Sequence, residues 1–152
     1  MPLHDIYSVS IKHKTVSVSE LDELEATLGF DLPVGYREYL SELGDGYFCG
    51  NIHVRTPSGV LNKENVGHWD KVVELAVDFE AWDEQRFLSD SELKNAVVFA
   101  KSDEGDLFVA CPEKVGQLYE LPRGESRMYH YPKGFLEPFH FRFCREVEFN
   151  LP

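Results

Sequence analysis

Six histidines are the side chains of this 152-residue chain that most directly suggest metal binding or catalysis. They show neither the H-E-x-x-H spacing nor the Cys-x-x-Cys partner that is typical of zinc sites. Two of them, His130 and His140, could converge in space, but scattered surface histidines are the commoner arrangement. We therefore predict no metal site and no cofactor. The six are His4, His13, His53, His68, His130 and His140.

Nucleophilic and acid–base chemistry have weak candidates in this sequence. Cys49 precedes His53 by four residues, but a buried thiol after a glycine turn is a more frequent arrangement than a nucleophile. The familiar G-x-S-x-G, G-x-x-x-x-G-K-[ST] and G-x-G-x-x-G motifs do not occur. We predict that the protein is not an enzyme, with a small-ligand protein or enzyme as one alternative. Acid pairs suited to acid–base work, or to simple solvation, are Asp83-Glu84, Asp103-Glu104 and Glu146 with Glu148.

Acidic residues are unusually dense between positions 74 and 92. Seven acids there accompany one basic residue, Arg86. Such a cluster can steer a basic protein towards it, although a solvated helix and loop would give the same pattern. Trp69 and Trp82 lie near its two ends, and an exposed tryptophan beside carboxylates is typical of an interface hot spot. We expect Trp82 to be the more exposed of the two.

The charge of the whole chain points to the same kind of partner. Lys and Arg number 15 against 27 for Asp and Glu, which gives a net charge of −12. This charge disfavours direct binding to nucleic acid or to anionic membranes and favours a basic partner, unless it serves solubility alone. Three widely spaced cysteines beside apolar residues indicate reduced thiols, and no apolar stretch resembles a signal peptide or a membrane span. We predict a cytoplasmic protein.

Helical patterns dominate the N-terminal half. Ser17 and Glu20 form a capping-box pattern ahead of leucines at helical spacing, and Gly29 is placed to end that helix. A second helix is expected with Pro33 in its first turn, up to the glycines at 44 and 46. A strand at 51–55, a turn at 57–59 and an amphipathic helix at 68–80 follow.

Strand patterns dominate from residue 95 onward. Two apolar runs, 97–100 and 107–110, flank a polar loop with Gly105 and predict a β-hairpin. Two further strands are expected at 117–121 and 127–131, followed by a short helical turn and an extended tail past Pro138. The sequence therefore predicts a single α+β domain over 1–152, in which an antiparallel meander is backed by helices.

Two segments resemble the SUKH superfamily, also called Smi/Knr-like. The stretch ELDELEATLGFDLPVGYREYLSELGDG is similar to the family's first motif, and VVFAKSDEGDLFVAC is similar to its strand, acidic glycine turn and strand. The asparagine of the family's Asn-Gly-Gly-like turn is not kept, which puts any side-chain role at that position in doubt. The motif positions, which the resemblance assigns to the fold, are Leu28, Leu32, Pro33, Tyr36, Tyr39, Leu40, Gly44, Asp45 and Gly46.

This resemblance implies a helix-backed antiparallel sheet and protein binding without catalysis. Small size makes the chain more similar to the bacterial immunity proteins of the superfamily than to its fungal regulators. The resemblance then implies binding to a cognate toxin domain, often a nuclease, with a regulatory interaction module as the alternative. From the acidic and aromatic pattern we expect the partner to contact Asp78, Trp82, Asp83, Glu84, Asp103, Glu104 and Asp106.

Overall fold

A six-stranded antiparallel sheet is the centre of the fold. The computed structural model describes residues 14–48, 52–62, 87–123 and 128–135. Each strand pairs with the next in sequence, in the order β1 to β6, so the sheet is a meander. The strands are β1 (Gly46–Phe48), β2 (Ile52–Val54), β3 (Val97–Ser102), β4 (Leu107–Ala110), β5 (Leu118–Leu121) and β6 (Tyr129–Tyr131). The α+β class and the antiparallel meander predicted from the sequence are confirmed.

Two helices precede the sheet. Helix α1 (Val18–Leu28) begins at the predicted capping box, in which Ser17 and Glu20 bond each other's backbone, and ends at Gly29 with φ 76°. Helix α2 (Tyr36–Glu42) starts three residues later than expected. Pro33 does not occupy its first turn, because the left-handed Gly35 (φ 83°) reorients the chain immediately before Tyr36. The helix pattern was correct and its boundary was wrong.

Two short helices differ from the expectation. Residues predicted as a turn at Pro57 form α3 (Pro57–Val60), with the proline at its start. Helix α4 (Asp90–Asn95) was not predicted at all, although Ser89 and Glu92 form a second complete capping box. The predicted helix at 68–80 and the C-terminal segment past residue 135 lie outside the described residues.

Both faces of the sheet are buried where β3, β4 and β5 meet. Phe108 lies in a core formed with α1, α2 and α3, while Val109, its neighbour on β4, lies in a second core with Leu93 of α4. Successive residues of a strand point to opposite faces, so the two cores lie on opposite sides of the sheet. This arrangement explains why β4 and β5 are buried at every position instead of alternating.

Candidate protein-binding surface

The β3–β4 turn presents two of the predicted partner-binding residues to solvent. Asp103 and Glu104 are exposed at its tip. The turn is closed by backbone bonds from Ser102 N to Asp106 O (3.0 Å) and from Gly105 N to Ser102 O (3.1 Å). Gly105 has φ 98°, a conformation that favours glycine. Among the described residues, neither carboxylate has an ion-pair partner, so both can face a basic surface.

Asp106, predicted to contact the partner, is buried instead, with 4% of its surface exposed. Its Oδ2 accepts a hydrogen bond from the Ser102 hydroxyl (2.7 Å), and its Oδ1 accepts one from the backbone N–H of Arg123 (2.8 Å). The same hydroxyl accepts a bond from the Asp106 N–H (3.0 Å). The Asp106 carboxylate thus links the β3–β4 turn to the start of the loop after β5. Direct contact with a partner is incompatible with this burial.

A basic side chain lies against the acidic turn. A Cβ placed on Gly105 would lie 2.8 Å from Cδ of Arg123, whose own side chain is exposed. The turn therefore combines two exposed carboxylates with one neighbouring guanidinium. Four other residues predicted to bind the partner, Asp78, Trp82, Asp83 and Glu84, lie outside the described residues, so their role stays a prediction.

The family-motif residues build the core between helices and sheet. Tyr36 packs edge-on against Phe99 of β3, with ring centroids 4.9 Å apart, and its hydroxyl donates to the carbonyl oxygen of Arg55 (2.7 Å). Burial raises the pKa of the Tyr36 phenol well above its ordinary value. The other motif side chains that share this burial are Leu32, Pro33, Tyr39 and Leu40. Their placement agrees with a structural role.

The family motif ends at Gly44, Asp45 and Gly46, where the backbone is bonded to Lys14 and the Asp45 side chain is exposed. Gly44 has φ 73°, and a Cβ there would lie 2.4 Å from the carbonyl oxygen of Lys14. Asp45 is exposed; its N–H donates to the same Lys14 oxygen (3.1 Å), and its Oδ1 lies 3.1 Å from Nε2 of His53. Gly46 begins β1. This turn therefore ties the segment before α1 to the first strand.

A second acidic surface, which the charge analysis of the sequence missed, lies on α1, α2 and their connection. Residues 14–45 contain eight acids and two basic residues, an excess that is half of the chain's net charge. Arg37 bonds Asp22 (2.8 Å) and Glu25, and the bond to Glu25 is the main reason that the pKa of Arg37 is raised. We call the exposed carboxylates of α1, α2 and their connection that Arg37 does not bond the acidic helical surface: Glu20, Glu23, Asp31, Glu38 and Glu42.

Reactive groups in the described residues have structural surroundings. Cys111 is a buried free thiol whose pKa is raised chiefly by burial, which disfavours the nucleophilic thiolate. His130 Nε2 lies 2.6 Å from Gln117 Oε1, and its ring stacks on Tyr119. Within the described ranges no three His, Cys, Asp or Glu side chains are grouped to hold a metal. Cys49 and His140 lie outside those ranges.

The helix-backed meander and the buried Leu-Pro and Tyr motif define a Smi/Knr-like domain. The model of the SUKH_6 family, described as SMI1-KNR4 cell-wall, matches residues 19–115, which is more than half of the chain. The protein therefore belongs to the SUKH family. No match was found among curated proteins. None of the helices in the described part of the chain is long and apolar enough to cross a membrane.

Proposed function

We propose that this protein is a non-catalytic immunity protein that binds and neutralises a bacterial toxin domain. Membership of the SUKH family is the observation that carries the proposal. A nuclease is the toxin class that best fits the charge, because a nuclease must present basic residues to nucleic acid. An acidic domain can occupy the same basic surface.

Two groups of exposed carboxylates support an electrostatic mode of binding. Asp103 and Glu104 project from the β3–β4 turn, and the carboxylates of the acidic helical surface are exposed on α1, α2 and their connection. Charges of one sign on a rigid scaffold can raise association rates by about 10–1000-fold at low salt. We include Asp78, Trp82, Asp83 and Glu84 in the proposed contact region and leave out the buried Asp106.

Co-expression with the product of the neighbouring gene tests this function. We expect that product to arrest cell growth when expressed alone, to be tolerated together with this protein, and to co-purify with it. Association should slow as salt increases, because screening weakens contacts between exposed charges. A neighbouring product that is neither toxic nor bound would contradict the immunity role and leave the family assignment intact.

Charge reversal can then locate the contact surface on the folded protein. Asp103→Lys with Glu104→Lys tests the turn, and Glu38→Lys with Glu42→Lys tests the acidic helical surface. Each pair changes the net charge by the same amount, so each is the control for the other. A decrease in association rate confined to one pair identifies the contacting surface. Equal small decreases would indicate long-range steering without contact at either place.

A regulatory interaction module without a toxin is the second candidate. The matching family model carries the words cell-wall in its description, and this wording favours a regulatory role. In that case the neighbouring product would be harmless, while a different protein would be retained by the immobilised chain. Loss of that retention in the Asp103→Lys, Glu104→Lys variant would place the regulatory partner on the β3–β4 turn.

A further inference from the structure

Three basic residues on or next to β2 and β3 line one cavity in this otherwise acidic protein. His53 on β2 lies directly opposite Lys101 on β3. Arg55 follows two residues after His53, and its N–H donates to the Phe99 carbonyl oxygen (2.8 Å), which extends the strand pairing. Residues two apart on a strand share a face, so His53 and Arg55 point to the same side of the sheet.

These three side chains line a shallow cavity of about 300 Å³ together with Ser102 and Asp103. Its volume is at the lower end of the range for small-molecule sites, roughly 300–1,000 Å³. The Ser102 hydroxyl is bonded to Asp106, so the other polar side chains that line the cavity are the three basic ones and Asp103. Asp45 lies against His53, and the carboxylates of Asp45 and Asp103 both disfavour an anion there.

Arg55 is the best placed of the three to bind an anion. It is half-buried, and desolvation lowers the pKa of its guanidinium. An anion beside a partly desolvated cation restores favourable interactions that burial has removed. A guanidinium has five N–H donors in a planar fork, so it can bind an oxyanion while it keeps contacts within the chain.

We propose that the His53, Arg55 and Lys101 cavity binds a small oxyanion, either a phosphate group or a carboxylate. Arg55 would supply a bidentate contact, and Lys101, which is exposed, would supply a mobile positive charge above it. The cavity is separate from the acidic helical surface. The cavity shares Asp103 with the proposed toxin-binding turn, but the proposal does not require the immunity function, since the oxyanion need not come from a toxin.

Titration with inorganic phosphate, followed by NMR at constant ionic strength, tests this cavity. We expect saturable shifts confined to His53, Arg55, Lys101 and their backbone neighbours. Lys101→Gln should weaken binding about two- to fivefold, as expected for an exposed charge. Arg55→Gln should weaken it about tenfold, and its thermal unfolding must be checked because Arg55 is half-buried. Lys94→Gln, at the exposed end of α4, is the matched control and should change nothing.

A parallel titration with acetate distinguishes the two sources of the oxyanion. Tighter binding of phosphate assigns the cavity to a phosphate group, whereas equal binding of both assigns it to any carboxylate-sized anion. The proposal is overturned if phosphate produces no saturable shift. It is also overturned if Lys101→Gln and Lys94→Gln weaken binding to the same extent, because the shifts then report only the overall charge.

Discussion

The carbonyl oxygen of Val34 lies where a side chain on residue 134 would begin: a Cβ on Gly134 would be 1.9 Å from that oxygen. Gly134 also has φ 59°. The same Val34 oxygen accepts the N–H of Phe135 (2.8 Å), and the Val34 N–H donates to Gly116 (3.1 Å). The loop after the Leu-Pro motif is therefore held by backbone bonds to the β4–β5 loop and to the segment after β6.

Gly134→Ala should be strongly destabilising. The added methyl would meet a backbone atom that cannot move independently, and the left-handed conformation adds its own cost, so we expect a loss of about 3 kcal/mol or more. Gly29→Ala is the control, since its φ is 76° but no atom lies within 4 Å of its Cβ position. That variant should lose only about 1–2 kcal/mol. Urea unfolding of both proteins measures the difference, and equal losses would contradict a close contact between Gly134 and Val34.

The contact between Val34 and Gly134 shows which part of the fold the sequence predicts and which part it does not. Local signals such as the Ser17 capping box and the two apolar runs around Gly105 predicted α1 and the hairpin correctly, because these elements depend on residues that are close in sequence. The start of α2 was predicted at Pro33, because proline favours a first helical turn. The observed start lies later because Val34, just after Pro33, is held by backbone bonds to Gly116 and Phe135. Both partners are far from Val34 in sequence, so no local pattern could indicate them.

Ser89→Ala should destabilise the second core through α4. The Ser89 hydroxyl accepts the N–H of Glu92 (3.2 Å) at the start of a six-residue helix that places Leu93 in that core. Loss of an N-cap costs about 1 kcal/mol, measured here as the free energy of unfolding. Ser19→Ala, on the exposed face of α1, is the control and should lose nothing. Equal effects of the two substitutions would mean that the cap does not stabilise α4.

Helix α4 was missed because the acids in its first turn were interpreted only as charges. Asp90 and Glu92 were counted as part of an acidic cluster that extends from residue 74, although Glu92 accepts the Ser89 N–H (2.8 Å) and lies 3.5 Å from Lys114 Nζ. The capping-box spacing was present in the sequence. A pattern of two residues is weak evidence for a helix of only two turns, and packing of Leu93 decides the outcome.

Glu92→Gln should make stability less sensitive to acid. The hydrogen bond from the backbone N–H of Ser89 is the main reason that the pKa of Glu92 lies below its ordinary value of 4.5, and Lys114 contributes. A carboxyl whose pKa is lower in the folded state stabilises the fold above about pH 4.5, and this contribution is lost as the pH falls through the folded-state pKa. The stability difference between wild type and variant should therefore narrow below about pH 4.5. A constant difference from pH 7 to pH 3, measured by urea unfolding, would contradict this linkage.

Tyr36→Phe should cost about 1–2 kcal/mol at neutral pH, because the carbonyl of Arg55 loses its buried donor while the ring contacts remain. The pKa of the folded phenol is raised by burial, so the unfolded chain ionises first as the pH rises past about 10. The stabilisation from Tyr36 is present below that pH and is lost above it. The difference between wild type and Tyr36→Phe should shrink above about pH 10, and a difference that grows there would show that the phenol ionises in the folded state.

The candidate site illustrates the same limit of sequence reasoning, since Asp103 and Asp106 are the same residue type three positions apart in one polar turn. The sequence predicted both as partner contacts. Their environments differ only in the folded chain. Closure of the β-hairpin directs Asp106 towards Ser102 and the Arg123 backbone, whereas Asp103 stays exposed to solvent. The acidic helical surface was overlooked although Glu20 and Glu23 lie close together in sequence, because residues 20–46 were interpreted only as helical patterns and as a family motif.

Asp106→Asn and Asp103→Asn should therefore separate folding from binding. Asp106→Asn replaces a carboxylate oxygen with an NH₂ group next to a donor, either the Ser102 hydroxyl or the Arg123 N–H, so we expect a loss of about 1–3 kcal/mol in the free energy of unfolding. Asp103→Asn should change stability by less than about 0.5 kcal/mol because its side chain is exposed. In the partner assay the order should reverse: at a temperature where both variants are folded, Asp103→Asn slows association at low salt and Asp106→Asn does not. If Asp106→Asn alone impaired binding while its unfolding curve matched the wild type, the buried carboxylate would have to reach the partner, and the assignment of Asp106 to the turn would be wrong.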